Sequence, residues 1–217
     1  ADVLKISTNE YDDGLLPLLK EIDPKENNLL ILHCAGSHAR YECRFPESER
    51  IFPEHSNEAD YANTVYFTDR FLQKVLAYAK ENLNLQAVVY FSDHGEDIQL
   101  GHGPAIRKWS TIRIPMWIYL TPQYRKVYRE ETTNLRLHKD AYFTNDMIYN
   151  TMCGIMGLPS NHYRPEEDLA SARYAFSRGT VTAFNRQVRI AEDEGQEDFT
   201  YLGTSSNYVN LVTTKPK

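Results

Sequence analysis

Short apolar runs that end in polar, glycine-containing segments restrict the possible folds of this chain more than any other feature. Residues 27–36 read NNLLILHCAG, a continuous apolar run that ends at a glycine. Such a run predicts a strand that is buried on both faces, as in a parallel sheet. QAVVYFS, which ends at Ser92, predicts a second strand, and IRIPMWIYLTP, which ends at Pro122, predicts a third.

Two stretches with apolar residues at helical spacing separate or follow these strands. Residues 57–82 predict an amphipathic helix, which Ser56 or Asn57 can cap at its N-terminus. Residues 145–156 predict a shorter helix that ends at Gly157. The order strand, helix, strand, loop, strand, helix predicts an α/β fold in which a mainly parallel sheet is flanked by helices. Near the C-terminus, alternation around the dipeptide Arg178-Gly179 predicts a hairpin.

The length and charge of the chain narrow the classes of function. We expect 217 residues to form a single domain, residues 1–217. The net charge of −6 argues against a nucleic-acid partner, which needs a dense basic surface. The apolar runs are far shorter than the roughly 20 residues that span a bilayer. Cys34 and Cys43 could pair in an oxidising compartment, but three cysteines fit a reduced protein as well.

Polar and ligating side chains gather where two of the predicted strands end. Open parallel sheets bind ligands at the carboxyl ends of their strands, so these segments indicate a site rather than solvated loops. Asp93 and His94 offer the oxygen and nitrogen ligands that suit Zn²⁺ or Mn²⁺. Gly95 permits a tight turn, and Glu96 could orient a ligand by a hydrogen bond.

Two further histidines stand in similar positions. His102 lies between Gly101 and Gly103, which let the backbone approach a ligand closely. His38 follows the first predicted strand in the segment AGSHARY. The alternative for each is a surface histidine in a loop. Cys34 is a weak candidate for a nucleophile, because no electropositive pocket is evident around it.

Taken in order, several motifs resemble one family. The motifs are LHCAGSHARYECRFP, YANTVYFTDRFLQKVL, VVYFSDHGED with GHG, IPMWIYLTP, FTNDMIYNTMCGIMGLP and YRPEEDLAS. They resemble the soluble catalytic domain of bacterial phosphoethanolamine transferases, which belong to the alkaline phosphatase and sulfatase superfamily. The resemblance covers residues 28–171 and identifies the chain with the C-terminal part of that domain. Residues 1–27 are then a lead-in, and residues 172–217 form a hairpin and a tail.

This resemblance implies a fold and a chemistry. The fold is an alkaline-phosphatase-like α/β/α sandwich, incomplete here at its N-terminus. A zinc ion, or another divalent ion such as Mn²⁺, activates a threonine that takes phosphoethanolamine from a phospholipid and passes it to lipid A or another surface glycan. Asp93 and His94 match zinc ligands of the family, and His38 and His102 match histidines that contact the phosphoryl group.

The departures from the family pattern set further expectations. In the family, the nucleophilic threonine and a glutamate ligand precede LHCAGSH, and neither has a counterpart in residues 1–27. We therefore expect zinc to bind weakly or not at all and turnover to be absent without the missing part. By resemblance, the whole protein resides in the bacterial inner membrane through N-terminal helices, with this domain on the periplasmic face. The alternatives are a sulfatase or phosphoglycerol transferase of the same superfamily, or a non-catalytic binding module.

Overall fold

The computed structural model describes residues 11–184, 186–193, 195 and 198, and it comprises two compact units, Ala1–Leu85 and Gln86–Lys217. The helices and strands, in chain order, are α1 (Asn57–Asn82), β1 (Ala87–Phe91), β2 (Met116–Leu120), α2 (Pro122–Val127), α3 (Arg129–Leu137), α4 (Ile148–Met156), β3 (Thr182–Ala183), β4 (Val188–Arg189) and α5 (Ile190–Asp193). Short 3₁₀ helices span Asp12–Glu21, Tyr41–Cys43, Glu47–Glu49, Trp109–Thr111, Asn145–Met147 and Pro165–Glu167. The α/β class predicted from the sequence is confirmed; the single-domain assignment stays a prediction. Within the described ranges, no helix combines the length and the apolar character needed to cross a membrane.

Helix α1 has the bounds that the sequence predicts. The Ser56 hydroxyl accepts a hydrogen bond from the backbone N–H of Ala59 at 3.3 Å, which satisfies one donor of the first turn. The apolar face of α1 buries Phe71 and Val75 against Leu19 of the 3₁₀ helix Asp12–Glu21. This cluster forms the core of the first unit.

The first predicted strand is not a strand in the structure, so this part of the prediction is wrong. Residues 27–35 have no ladder partner among the described residues, and Leu29 and Ile31 are 54% and 75% exposed. Only Leu32 and Cys34 from this stretch pack against the core of the first unit. A strand requires a second segment to supply its hydrogen bonds, and an apolar run alone does not create one.

The two strands of the second unit form an antiparallel pair, whereas the sequence predicted a mainly parallel sheet. Ala87 pairs with Leu120, and Phe91 pairs with Met116. Parallel pairing needs a crossover connection, usually a helix. The segment between β1 and β2 contains only the 3₁₀ turn Trp109–Thr111, and the chain returns alongside itself. The carboxyl end of β1 therefore lies beside the start of β2.

One of the buried clusters of the second unit packs on these strands. Tyr124, Ile155 and Ala170 form a buried cluster against apolar side chains of β1 and β2. Helix α4 ends as predicted from the sequence, at Gly157, whose φ is 61°. It begins at Ile148 and not at Asn145, because Asn145–Met147 form a 3₁₀ turn.

The predicted hairpin is present but displaced. Arg178 and Gly179 lie in a turn that precedes the strands, and the pairing occurs between Thr182–Ala183 and Val188–Arg189. Val181 and Val188 are buried, so the apolar side chains fix the register rather than the arginine-glycine pair.

Candidate metal centre

The chain leaves β1 through a segment that backbone contacts hold tightly. The Ser92 N–H donates to the carbonyl of Pro115 at 3.3 Å, and the Gly95 N–H donates to the carbonyl of Thr111 at 2.9 Å. A Cβ on Gly95 would lie only 2.0 Å from the Ser110 carbonyl oxygen, so any other residue would force the backbone apart. The sequence suggested a glycine needed for a turn; the structure shows one needed for a close backbone approach.

A compact turn brings the second histidine back toward the first. The Asp97 carboxylate accepts from the backbone N–H groups of Gln99 and Leu100 at 3.1 and 2.9 Å. The backbones of Asp97 and Gly101 also exchange two hydrogen bonds. Gly101 has a φ of 79°, a conformation that favours glycine. The turn therefore places His102 close to His94.

Three ligating side chains converge at this point. The His94 and His102 rings are stacked with centroids 4.0 Å apart, and His102 Nδ1 lies 2.7 Å from Glu96 Oε2. One ligand atom from each of His94, Glu96 and His102 lies within 4.8 Å of the other two. The Glu96 side chain is only 6% exposed, against 26% for His102 and 35% for His94. Two imidazoles and a withdrawn carboxylate are a donor set that fits a divalent transition metal such as zinc.

The ring nitrogens of His94 have distinct roles. Nδ1 lies 2.7 Å from the carbonyl oxygen of Gly95, and because a carbonyl only accepts, Nδ1 carries the proton. Nε2 is then the nitrogen with the lone pair, and it lies 4.0 Å from Asp93 Oδ1. Two ligand atoms on one tetrahedral zinc ion are about 3.4 Å apart. The two atoms are thus further apart than two ligands on one ion, and the Asp93 side chain is 83% exposed.

Two ligand sets that share His94 are therefore available. One pairs His94 with Asp93, as the sequence predicted, and leaves the contact between Glu96 and His102 intact. The other uses Glu96 and His102 and has to replace the short hydrogen bond between them. The first set has to move only Asp93 Oδ1, which accepts from the His94 N–H at 3.1 Å.

His38, the remaining histidine predicted for the site, belongs to the first unit. It follows the turn at Gly36, where the Asp12 carboxylate accepts from the backbone N–H groups of Ala35 and Gly36, both at 2.8 Å. Arg44 donates to the backbone carbonyl of His38 at 3.2 Å. The His38 side chain is exposed, and its role stays a prediction.

The structure also argues against a cysteine nucleophile and against a disulfide. Cys34, Cys43 and Cys153 are free thiols. Burial, reinforced by the negative charge of Asp12, raises the pKa of the Cys34 thiol to about 12. A thiol that stays protonated at neutral pH is a poor nucleophile.

Asn145 is a contributor to this centre that sequence reasoning missed. It precedes α4 and donates from Nδ2 to the carbonyls of Ser92 and Asp93, at 3.2 and 2.8 Å. The contact spans 52 residues, and nothing in the local sequence connects the two segments. The grouping of Glu96 with both histidines was also missed, although its position two residues after His94 was a usable signal.

Part of this chain matches a known protein family. Residues 3–158 match the family described as Sulfatase. This range begins within the segment that the sequence suggested was a lead-in.

Known proteins with similar sequences are phosphoethanolamine transferases. Phosphoethanolamine transferase EptA of Helicobacter pylori is 29% identical over 185 residues, which cover 73% of this chain and 34% of that protein. Kdo(2)-lipid A phosphoethanolamine 7''-transferase of Escherichia coli is 26% identical over 162 residues, which cover 64% of this chain and 28% of that protein. The chain thus spans about a third of the length of such relatives. The resemblance seen in the sequence is confirmed.

Solved structures support the fold. The C-terminal periplasmic domain of phosphoethanolamine transferase EptC from Campylobacter jejuni gives a TM-score of 0.65 at 24% identity and covers 77% of this chain and 60% of that chain. The corresponding Escherichia coli domain in complex with Zn gives 0.69 at 19% identity and covers 90% of this chain and 61% of that chain. At these identities the likeness shows the alkaline-phosphatase-like fold alone. With a match over residues 3–158, more than half of its length, this chain belongs to the sulfatase family.

Proposed function

We propose that this chain is part of a metal-dependent transferase that moves phosphoethanolamine from a phospholipid to lipid A or another surface glycan. The observation that carries the proposal is the convergence of His94, Glu96 and His102 at the end of β1. Relatives that match this chain are phosphoethanolamine transferases by name, and one acts on Kdo(2)-lipid A. A site of imidazoles and carboxylates suits phosphoryl transfer, in which negative oxygens must be bound and stabilised.

Asp93 and His94 are the residues that we propose hold the metal. The hydrogen bond from His94 Nδ1 to the Gly95 carbonyl fixes the ring and presents Nε2, as is usual for histidine ligands. Asp93 Oδ1 lies 4.0 Å from Nε2 and has to move closer to share an ion with it. When bound, zinc supplies a Lewis acid for the phosphoryl oxygens. The zinc complex of the Escherichia coli EptC domain supports this choice of metal.

His102 is the residue that we propose contacts the phosphoryl group. With Nδ1 donating to Glu96, contact with a phosphoryl oxygen falls to Nε2. An N–H donor at Nε2 stabilises an oxygen on which negative charge develops. His38 has the same proposed role by resemblance alone.

The remaining parts of the reaction belong to the whole protein. We propose that the covalent intermediate forms on a threonine outside these 217 residues, so that this chain alone does not turn over. We also propose that the whole protein is anchored in the inner membrane, with this domain on the periplasmic side. Two neighbouring solved structures are periplasmic domains, which supports that location.

The test uses the whole protein that contains this chain. It is expressed in a bacterium whose lipid A lacks phosphoethanolamine, and lipid A is analysed by mass spectrometry. We expect modified lipid A with the wild type and none with Asp93→Ala or His94→Ala. His162→Ala is the matched control, because His162 is an exposed histidine remote in sequence from the site. Modification that persists in both site variants contradicts the proposal.

A sulfatase is the second candidate, and the family description favours it. The same preparation is therefore assayed for release of sulfate from a chromogenic sulfate ester. Sulfate release without any change in lipid A replaces the first proposal with the second. If neither reaction occurs and the protein still binds a lipid A surface, the binding-module alternative gains support.

A further inference from the structure

We propose that Asn145 is a positioning residue of the metal centre, which sets the orientation of the Asp93–His94 segment. The inference rests on the proposed function, because it assigns a purpose to contacts made with the segment that carries the ligands. It concerns a residue 52 positions from Asp93 along the chain, outside the DHGE segment. Asn145 is not proposed to touch the substrate or the metal.

The contacts of Asn145 are directed at the ligand segment. Its Nδ2 donates to the Ser92 carbonyl at 3.2 Å and to the Asp93 carbonyl at 2.8 Å. A side-chain amide nitrogen has two hydrogens, so both bonds form together. The two carbonyls belong to consecutive peptide units, which lie on either side of the Asp93 α-carbon. Fixing both planes fixes the direction in which the Asp93 side chain leaves the backbone and orients the peptide unit that precedes His94.

Other contacts restrain the same segment from the opposite strand and from the 3₁₀ turn Trp109–Thr111. The Ser92 N–H is bound by the Pro115 carbonyl, and the Gly95 N–H is bound by the Thr111 carbonyl. These bonds use the N–H groups on either side of the ligand pair. On the carbonyl side, Asn145 holds Ser92 and Asp93, and the Ser92 hydroxyl donates to the His94 carbonyl at 2.7 Å, so both sides of the loop are restrained.

A second observation indicates that this side chain is not optimised for stability. Asn145 Oδ1 is buried, and it has no hydrogen-bond partner in the part of the chain that the structure describes. A buried acceptor of this kind is destabilising. Its presence is accounted for if the two donated bonds serve the geometry of the site.

The experiment compares zinc affinity and backbone protection in the purified whole protein that contains this chain. Asn145→Asp preserves the shape of the side chain but cannot donate to the two carbonyls, and Asn145→Ala removes the contact altogether. Zinc affinity is measured by competition with a chromophoric chelator, and the absorption spectrum of the Co²⁺-substituted protein reports ligand geometry. We expect zinc binding about 10-fold weaker in both variants and an altered Co²⁺ spectrum.

Asn134 provides the matched control. Its Nδ2 donates to the Ala170 carbonyl at 2.9 Å, in the same unit but in the core. Asn134→Asp and Asn134→Ala should lower the melting temperature and leave zinc affinity within about twofold of the wild type, since they break an equivalent bond that does not touch the ligand segment. A purely structural role for Asn145 predicts the same pattern as Asn134.

Hydrogen exchange separates failure of this inference from failure of the proposed function. The Ser92 and Gly95 amides should exchange faster in the Asn145 variants with or without metal, because the segment loses its carbonyl restraint. If the wild type binds no zinc, the metal assignment fails, and faster exchange in the variants still supports the positioning role. Exchange rates and zinc affinity both equal to those of the wild type overturn it.

Discussion

Two carboxylates of the second unit, Asp168 and Glu96, are withdrawn from solvent, and they differ in their hydrogen-bond partners. Asp168 is 1% exposed and accepts from the Tyr163 hydroxyl and from the Ala170 N–H, both at 2.7 Å. The Glu96 side chain is 6% exposed and lies 2.7 Å from Nδ1 of His102. Each is a buried acid held by short hydrogen bonds, and burial alone does not distinguish the one in the candidate site.

The partners make the difference. The partners of Asp168 are a backbone amide and the phenol of Tyr163. Burial, as the larger cause, and the hydrogen bond to Asp168 raise the pKa of Tyr163 above its ordinary value. Neither donor exchanges a proton near neutral pH, so the contact can only anchor the chain. Glu96 meets an imidazole, which can bind a proton, a metal or an anion. A buried carboxylate indicates a reactive centre when its partner is itself reactive.

The largest expected effect concerns the glycine beside each acid. A Cβ on Gly154 would lie 2.0 Å from Asp168 Oδ2, whereas one on Gly101 would lie 3.7 Å from Glu96 Oε1. Gly154→Ala should therefore lower the free energy of unfolding by about 3 kcal/mol, because it displaces a buried carboxylate from its donors. Gly101→Ala should cost about 1 kcal/mol, from its positive φ alone. Urea unfolding measures both.

Equal losses of unfolding free energy in Gly154→Ala and Gly101→Ala would contradict the difference that we expect between Asp168 and Glu96. They would show that Asp168 yields easily when crowded and is not a fixed anchor.

A smaller effect is expected from shortening Glu96. Glu96→Ala should lower transfer activity of the whole protein by about 10- to 100-fold, since His102 loses the acceptor that orients its ring. Glu96→Gln keeps an oxygen that accepts from Nδ1, and we expect it to retain the zinc affinity of the wild type. Chelator competition on the purified whole protein provides that measurement.

The amide variant also tests the ligand set. Loss of zinc binding in Glu96→Gln would show that Glu96 is a ligand together with His94 and His102, and not the support of His102 that we propose.

The comparison also shows what the sequence could predict. Local signals were sufficient for α1, which Ser56 caps, and for α4, which Gly157 ends, because helices close their hydrogen bonds within themselves. They were sufficient for β1 and β2 as strands, but not for their antiparallel pairing. They failed for residues 27–35, since a strand depends on a partner elsewhere in the chain.

The candidate site likewise has features that the local sequence predicts and features that it does not. Asp93, His94, Glu96 and His102 are close in sequence, and His102 follows His94 by only eight positions, which is enough to suggest that the two histidines meet. Asn145 and the carbonyl of Ser110 that excludes a side chain at Gly95 are contacts between distant segments. They follow from tertiary packing, which no local pattern records.

The two acids should also differ in how pH affects stability. Burial, the largest influence, raises the pKa of Asp168, although the hydrogen bonds from Tyr163 and Ala170 act in the opposite direction. The folded chain then binds this proton more tightly than the unfolded chain, in which an aspartate titrates at about 3.9. The stability that protonation provides is present below that value and is lost as pH rises through the folded pKa.

Asp168→Asn isolates this effect. The amide oxygen still accepts from the Ala170 N–H, and the amide nitrogen can donate to the Tyr163 oxygen. Relative to the variant, the wild type should lose unfolding free energy as pH rises from about 4, as measured by urea unfolding at a series of pH values. The opposite slope would mean that hydrogen bonding to the charged form outweighs burial, and Asp168 would then be a stabilising anion.

Cys34 extends the comparison to a thiol, where the expected effect is on chemical reactivity. Its partners are a backbone carbonyl and the nearby charge of Asp12, neither of which favours the thiolate, and its pKa is raised to about 12. In a variant with Cys43→Ser and Cys153→Ser, alkylation of Cys34 by iodoacetamide at pH 8 should be about 100-fold or more slower than that of an unfolded thiol with a pKa near 8.5. Adding Asp12→Asn should accelerate the reaction only slightly, because burial is the larger cause. Rapid alkylation of the folded chain would contradict this prediction. Cys34 would then resemble Glu96, whose partner is reactive, rather than Asp168, whose partners are not.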